Sequence, residues 1–296
     1  MRLGTFTPSV LLALAGRTGL LAERGLEVEE VPVPSSPGQF RALADGELDL
    51  VVTSPDNVLA YRFLDNPLGE RLDVLVTAAL DSDAGLTLAA RPGLGDLALG
   101  ELVLGVDVPT SGFAFAAYAL LESAGRPPGS YEVRALGSTP RRRAALAAGE
   151  CDVTILGAGN ELLGEAAGCR PVAGARSLGP YLGEVLARLA GSPSAPEADA
   201  LAEVLVEVAE RVRGGELVEE TVSAAEDVLG LPRDLARRHH ARLTGGGLVP
   251  EGRAPREAFG TLLALRRRFR PEPGLEEAAA GLEAMLVGRA LRGQVS

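Results

Sequence analysis

The segment Ala42-Leu43-Ala44-Asp45-Gly46-Glu47-Leu48-Asp49 returns as Ala145-Leu146-Ala147-Ala148-Gly149-Glu150-Cys151-Asp152, a displacement of 103 residues. Each copy runs into an apolar strand, Leu50-Val51-Val52 or Val153-Thr154-Ile155, and then reaches an asparagine, Asn57 or Asn160, at the same displacement. Upstream, Gly4-Thr5-Phe6-Thr7-Pro8 parallels Gly105-Val106-Asp107-Val108-Pro109, and Leu20 to Gly25 parallels Leu120 to Gly125, at offsets of 101 and 100. A period of this length is too long for a solenoid unit and suits a duplicated small domain. Two similar α/β lobes with a cleft between them are expected. The repeated words themselves read as scaffold: leucine and alanine pack a helix, glycine ends it, and aspartate starts the next strand.

With 296 residues, 46% of them hydrophobic, the chain can bury the cores of two lobes. A net charge of -11 excludes the basic footprint that nucleic acids and anionic membranes need. All 29 basic residues are arginine, so no lysine is present to form a Schiff base with pyridoxal phosphate. The two cysteines, Cys151 and Cys169, stand in no C-x-x-C or Cys/His cluster, so neither metal nor cofactor is expected. Cys151 reads as a small hydrophobe in a buried strand. The run Val10 to Ala15 lacks the basic flank and cleavage site of a secretory signal, which points to the cytoplasm as the sequence stands, or to the periplasm or extracellular space if a leader has been removed.

Short β-rich runs alternate with amphipathic segments through the first 190 residues, the pattern of sheets covered by helices. Strands are predicted near Leu3–Phe6, Glu27–Val31, Leu48–Thr53, Val74–Ala78, Leu86–Ala90, Leu102–Val106, Tyr131–Ala135, Asp152–Leu156 and Arg170–Ala173. Helices are predicted over Ser9–Glu23, Pro37–Asp45 and Gly112–Ser123, each stopping at a glycine. The last third reads as nearly all helical: a long helix through Arg213, then Leu217–Leu229, Arg233–Leu243, Arg256–Arg268 and Leu275–Leu291.

Gly19-Leu20-Leu21-Ala22-Glu23-Arg24-Gly25-Leu26-Glu27-Val28 resembles an N-terminal motif of the solute-binding proteins that serve nitrate, sulfonate, taurine and thiamine-pyrimidine-precursor ABC transporters. Leu43–Ser54, Gly105–Gly112 and Leu146–Leu156 resemble the same family's repeated elements, over residues 3 to 190 in all. The resemblance implies an α/β, two-lobed type II periplasmic-binding-protein fold: two Rossmann-like lobes, a ligand cleft and a helical C-terminal region. The crossovers would lie near Thr77–Leu86 and Gly179–Arg188, making residues 1–80 with 189–296 one lobe and 81–188 the other. It also implies an ABC permease as a possible partner; the acidic composition argues against nucleic acid and membrane insertion, and monomer and dimer both stay open.

In open α/β sheets ligands gather at the carboxyl ends of strands, beside helix N-termini. Four loops qualify here: Thr7-Pro8-Ser9; Thr53-Ser54-Pro55-Asp56-Asn57, followed by Tyr61; Pro109-Thr110-Ser111-Gly112-Phe113, the best anion cradle; and Gly157-Ala158-Gly159-Asn160. Ser36 and Ser138 occupy corresponding positions that could line the cleft, and Tyr181 lies near the second crossover. Each loop can also be read as a plain cap or turn. Arg141-Arg142-Arg143 is placed unfavourably at a helix start, which hints at compensation, yet reads as a solvated face. His239 and His240, adjacent on a helix, cannot share one metal and read as surface residues. Asp56, Asp81, Asp83 and Asp107 near the cleft would disfavour a bare anion and favour a zwitterion, an amine or a neutral heterocycle.

Capture of a small polar molecule by lobe closure is the leading reading. The alternative is a cytoplasmic biosynthetic enzyme of lyase, dehydratase or decarboxylase type on the same fold, using Asp56, Asp107, Tyr61 or Tyr181. The pyrimidine synthase of this fold depends on a lysine and a cysteine-rich motif, and the chain offers neither. A ligand-sensing module is a third reading, although no helix-turn-helix precedes the repeat.

Overall fold

The computed structural model describes residues 1–82, 85–97 and 100–291; Asp83, expected near the cleft, lies outside the described residues. In chain order the strands are β1 (Arg2–Thr5), β2 (Glu29–Pro32), β3 (Leu50–Thr53), β4 (Val74–Asp81), β5 (Thr87–Ala90), β6 (Val103–Val106), β7 (Glu132–Ala135), β8 (Val153–Leu156), β9 (Arg170–Gly174) and β10 (Glu184–Leu189). The helices of the first two thirds are α1 (Val10–Arg17), α2 (Leu20–Glu23), α3 (Ser36–Ala44), α4 (Pro55–Phe63), α5 (Gly112–Ser123), α6 (Thr139–Ala148) and α7 (Asn160–Ala166). Those of the last third are α8 (Ala195–Arg213), α9 (Val218–Leu229), α10 (Arg233–Arg242), α11 (Arg256–Phe269), α12 (Leu275–Ala280) and α13 (Gly288–Leu291).

Two five-stranded sheets result, ordered β2-β1-β3-β10-β4 and β7-β6-β8-β5-β9. β1 pairs parallel with β2 and β3, and β6 does the same with β7 and β8. β10 is antiparallel to both its neighbours, as is β5. In each sheet the antiparallel strand is the first one laid down after the chain crosses from the other. The crossings run side by side: Gly183 N donates to Asp81 O at 2.9 Å. This two-lobed α/β arrangement is the one expected.

The repeat makes the same contacts twice. Asp49 Oδ2 accepts from Arg2 N at 2.6 Å and Asp152 Oδ2 from Val103 N at 2.8 Å, so each aspartate pins the start of a central strand. Gly46 and Gly149 leave their helices at φ +74° and +75°, where a side chain would be strained. A Cβ on Gly4 would lie 2.5 Å from Leu48, and one on Gly105 would lie 2.9 Å from Cys151 Sγ. Leu48 and Cys151 occupy the same place in the repeat, and both close the space against a central strand. Cys151 and Cys169 are free thiols, both buried.

Several elements differ from the sequence reading. The helix expected over Ser9–Glu23 divides at Gly19, which sits at φ +80°. α4 begins immediately after β3, so Asp56, Asn57 and Tyr61 lie on a helix capped by Ser54 Oγ. β10 occupies much of the expected second crossover; its charged Glu184 and Arg188 hide a strand whose middle is buried. The single helix expected over Leu275–Leu291 is broken into α12, one turn at Glu283–Met285 and α13. A Cβ on Gly281 would come 2.6 Å from the Phe63 ring, and Gly288 sits at φ +55°. α8 packs on β4 and β10, α9 on α1 and α13 on β4. α10 and α11 do not rest on the first sheet alone: α10 meets α7, and α11 lies on α5.

Candidate functional site

The carboxyl ends of β1, β3, β6 and β8 face one another across a cleft that opens to solvent. Phe6, Thr7, Thr53, Ser54 and Asn57 line it from the first lobe, and Asp107, Ser111, Gly112, Phe113, Arg142 and Gly157 from the second. A second chamber continues from it, sharing Thr7, Ala158 and Glu184 and lined also by Ser9, Asp81 and His239.

The cleft is closed by direct bonds. Ser36 Oγ donates to Asp107 Oδ2 at 2.8 Å, Ser138 N to Pro34 O at 3.0 Å, and Asn160 Nδ2 to Thr7 Oγ1 at 3.3 Å. Tyr61 hydrogen-bonds to Ser36; burial raises its pKa, with the Asp107 charge adding to the effect. The Tyr61 ring is stacked on Phe40 with centroids 3.9 Å apart, which fixes the relay that meets Asp107. Asp56 takes another part: both its oxygens accept from Arg266, and its side chain lies against Gly112 across the cleft.

Arg142 corrects the reading of Arg141 to Arg143 as a solvated face. Its side chain is buried and donates to Gly137 O (2.5 Å), Thr139 Oγ1 (3.0 Å) and Ile155 O (3.2 Å), all neutral acceptors. Burial lowers its pKa to about 10, and nearby Asp107 opposes that shift. Burial raises the pKa of Glu184, and Glu30 beside it adds to the rise. His239 is also buried, contrary to the surface expectation for the pair, whereas His240 is half-buried. Its helix shows the signal: Leu235, Ala236 and His239 share one face, all buried.

Of the candidates read from sequence, the structure brings Thr7, Ser54, Asn57, Ser111, Gly112, Phe113 and Gly157 to the main cleft. Pro8 and Ser9 line the second chamber. Ser36, Tyr61 and Thr110 lie in a side pocket with Ser111 and Arg266, and Asn160 contributes its bond to Thr7. Ser138 docks through its backbone, and Gly159 abuts Leu229 and His239. Tyr181 is buried away from the cleft near Asp56, whose charge adds to the burial that raises its pKa. Thr53, which opens the second candidate loop, also lines the main cleft, whereas sequence reasoning missed Phe6, Arg142, Glu184 and His239 as lining residues.

His239 sets an expected pH dependence. Burial lowers its pKa to about 4, with Arg242 and His240 adding to the effect. Between that value and the ordinary value near 6.5 the unfolded chain binds the extra proton, so stability present above this window is lost as pH falls through it. Burial raises Glu161 to about 7, which acts in the opposite direction as pH falls toward its ordinary value. Comparison with His239→Gln cancels that contribution. Urea melts at pH 7.5 and 4.5 should show the native protein losing on the order of 2 kcal/mol more than the variant on acidification; a pH-independent difference would refute the assignment.

Among the described residues, no group of three or more His, Cys, Asp or Glu side chains is placed to hold a metal ion. No described helix is long and apolar enough to cross a membrane. No protein-family model matches the chain. No curated protein matches it either. Solved structures do. The periplasmic nitrate-binding protein NrtA from Synechocystis superposes with a TM-score of 0.80 at 14% identity, covering 96% of this chain and 85% of that one. The alkanesulfonate-binding protein SsuA from Xanthomonas axonopodis, bound to MOPS, gives 0.74 at 19%, covering 94% and 96%. A Candida albicans protein with the generic periplasmic-binding-protein fold gives 0.67 at 12%, covering 100% and 99%. At these identities the likeness establishes the periplasmic-binding-protein fold.

Proposed function

We propose that this chain is a solute-binding protein that captures a small polar organic molecule in the interlobe cleft by hinge closure and presents it to an ABC permease. The carrying observation is the cleft itself, whose walls come from both sheets and meet through Ser36–Asp107 and Asn160–Thr7. These bonds are made only when the walls meet, so a ligand that contacts both walls favours the closed state by its differential affinity. The moving bodies in this reading are residues 1–80 with 189–296, and residues 81–188 apart from the β10 residues 184–188, which stay with the first sheet, and the crossings that meet at Asp81 and Gly183 serve as hinge. Solved structures of the same fold, a nitrate-binding and an alkanesulfonate-binding protein, support the reading.

A thermal-melt panel of nitrate, alkanesulfonates, amino acids, pyrimidines and aromatic acids tests it. At a ligand concentration about 100 times Kd the native state should gain roughly 2.7 kcal/mol, a rise in Tm of several degrees that grows with concentration. Chromatography of each hit should return it unchanged; conversion to a product would replace binding with catalysis.

A further inference from the structure

The two halves of the chain are controls for each other. In the first, Gln39 Nε2 donates to Val52 O at 3.0 Å and Gly4 O at 3.2 Å, tying α3 to the central strands. In the second, Arg142 stands at the matching position, 103 residues on, and Nη2 donates to Ile155 O, the counterpart of Val52. Gly105 O, the counterpart of Gly4 O, is satisfied at 2.7 Å by Thr154 Oγ1. A neutral amide therefore suffices for this packing, and the positive charge of Arg142 is surplus to it. Asp107 has the same standing, because Phe6 fills the corresponding position 101 residues earlier. Burying charges that no fold contact requires lowers stability.

These two surplus charges line one cavity. Among the described residues the partners of the Arg142 guanidinium are the neutral oxygens of Gly137, Thr139 and Ile155, and its Nε has no partner. Asp107 Oδ2 holds Ser36, but Oδ1 has no partner either. A bare anion would meet Arg142 but also Asp107, and a bare cation the reverse. A molecule with both charges answers both groups, and its ammonium and carboxylate replace the water each loses on burial. We infer that the cleft takes a small amino-carboxylate zwitterion, its ammonium on Asp107 and its carboxylate on Arg142; this rests on the solute-binding reading above. Phe6, Leu86 and Phe113 line the same cleft and give it apolar wall, which suits a hydrocarbon skeleton.

Calorimetric titration at pH 7 of glycine, L-alanine, β-alanine and 4-aminobutyrate tests it beside propionate, butyrate, propylamine, nitrate and an ethanesulfonate. At least one amino acid should bind, with the matched acid and amine at least about 30-fold weaker. Arg142→Gln, which places the residue of the first half in the second, should fold with a Tm no lower than the native chain and weaken that amino acid by about 30-fold or more. Asp107→Asn, which keeps the acceptor for Ser36, should weaken it comparably. If nitrate, the sulfonate or a plain acid binds and both variants retain that affinity, the zwitterion assignment is overturned while solute binding stands. If no amino acid binds, the assignment also falls; silence from every class of compound, including pyrimidines, would take the solute-binding reading with it.

Discussion

Arg266→Met should destabilise the protein by about 3–5 kcal/mol, the cost of leaving a buried charge without its partner. The guanidinium donates to Asp56 Oδ1 from Nε at 2.6 Å, to Oδ2 from Nη2 at 2.8 Å and to Glu272 Oε1 from Nη1 at 3.1 Å. The side chains of Arg266 and Asp56 are each 1% exposed and that of Glu272 is 8% exposed, so water cannot replace the lost donors. The guanidinium also lies 5.2 Å from the centroid of the Phe115 ring, which Met would still cover. Urea unfolding followed by far-ultraviolet circular dichroism measures the loss. The double variant Asp56→Asn/Arg266→Met should recover a large part of it, because paired removal leaves no charge at Asp56 and Glu272 keeps Arg270, whose Nε lies 3.5 Å from Oε1. A loss below about 1 kcal/mol for Arg266→Met would mean that the pair does not secure this junction of α4, α5 and α11.

Gly112→Ala should separate the lobes. A Cβ at Gly112 would come 2.4 Å from Asp56 Cβ and 2.7 Å from its Cγ, and Arg266 holds that carboxylate in place. Locally the change is favourable: Gly112 opens α5 without a left-handed backbone, where alanine is the better helix former by up to about 1 kcal/mol. Any harm therefore comes from across the cleft. Relief by opening should raise the radius of gyration in solution scattering. It should also weaken whatever ligand the melt panel identifies by about tenfold or more, matching overpacking costs of about 1–3 kcal/mol. Wild-type affinity with an unchanged scattering profile would show that Asp56 and Gly112 do not meet in the working closed state. A second interlobe set, Arg238 with Glu165 and Arg242 with Glu161 and Glu165, joins α10 to α7 and should keep the variant folded while the cleft mouth opens.

Much of the architecture was legible because local chemistry repeats. Gly46 and Gly149 had to end helices, and Asp49 and Asp152 had to begin strands, whatever the rest of the chain did. β10 was not legible, because an antiparallel strand inserted after a crossover has no local mark that distinguishes it from the crossover. The C-terminal breaks at Gly281 and Gly288 were equally hidden; apolar spacing persists through them, and only the Phe63 ring and the backbone geometry show why the helix stops.

The candidate site divides in the same way. Ser54, Ser111 and Gly157 follow from the rule that loops after central strands lead into helix N-termini, which sequence periodicity locates. Arg142 did not follow from its own neighbourhood, where three arginines look solvated, although its alignment with Gln39 was already present in the repeat. Asp56 shows the opposite failure. It looked like a ligand group because it follows a buried strand, whereas its bonds belong to Arg266, 210 residues further along.

By itself, then, the sequence determined two α/β units, their helix ends and the loops that face the cleft, because φ preferences, caps and apolar periods act within a few residues. Tertiary structure alone decided which charges line the cleft and which face each other, because a buried charge is defined by the partners that reach it from distant parts of the chain.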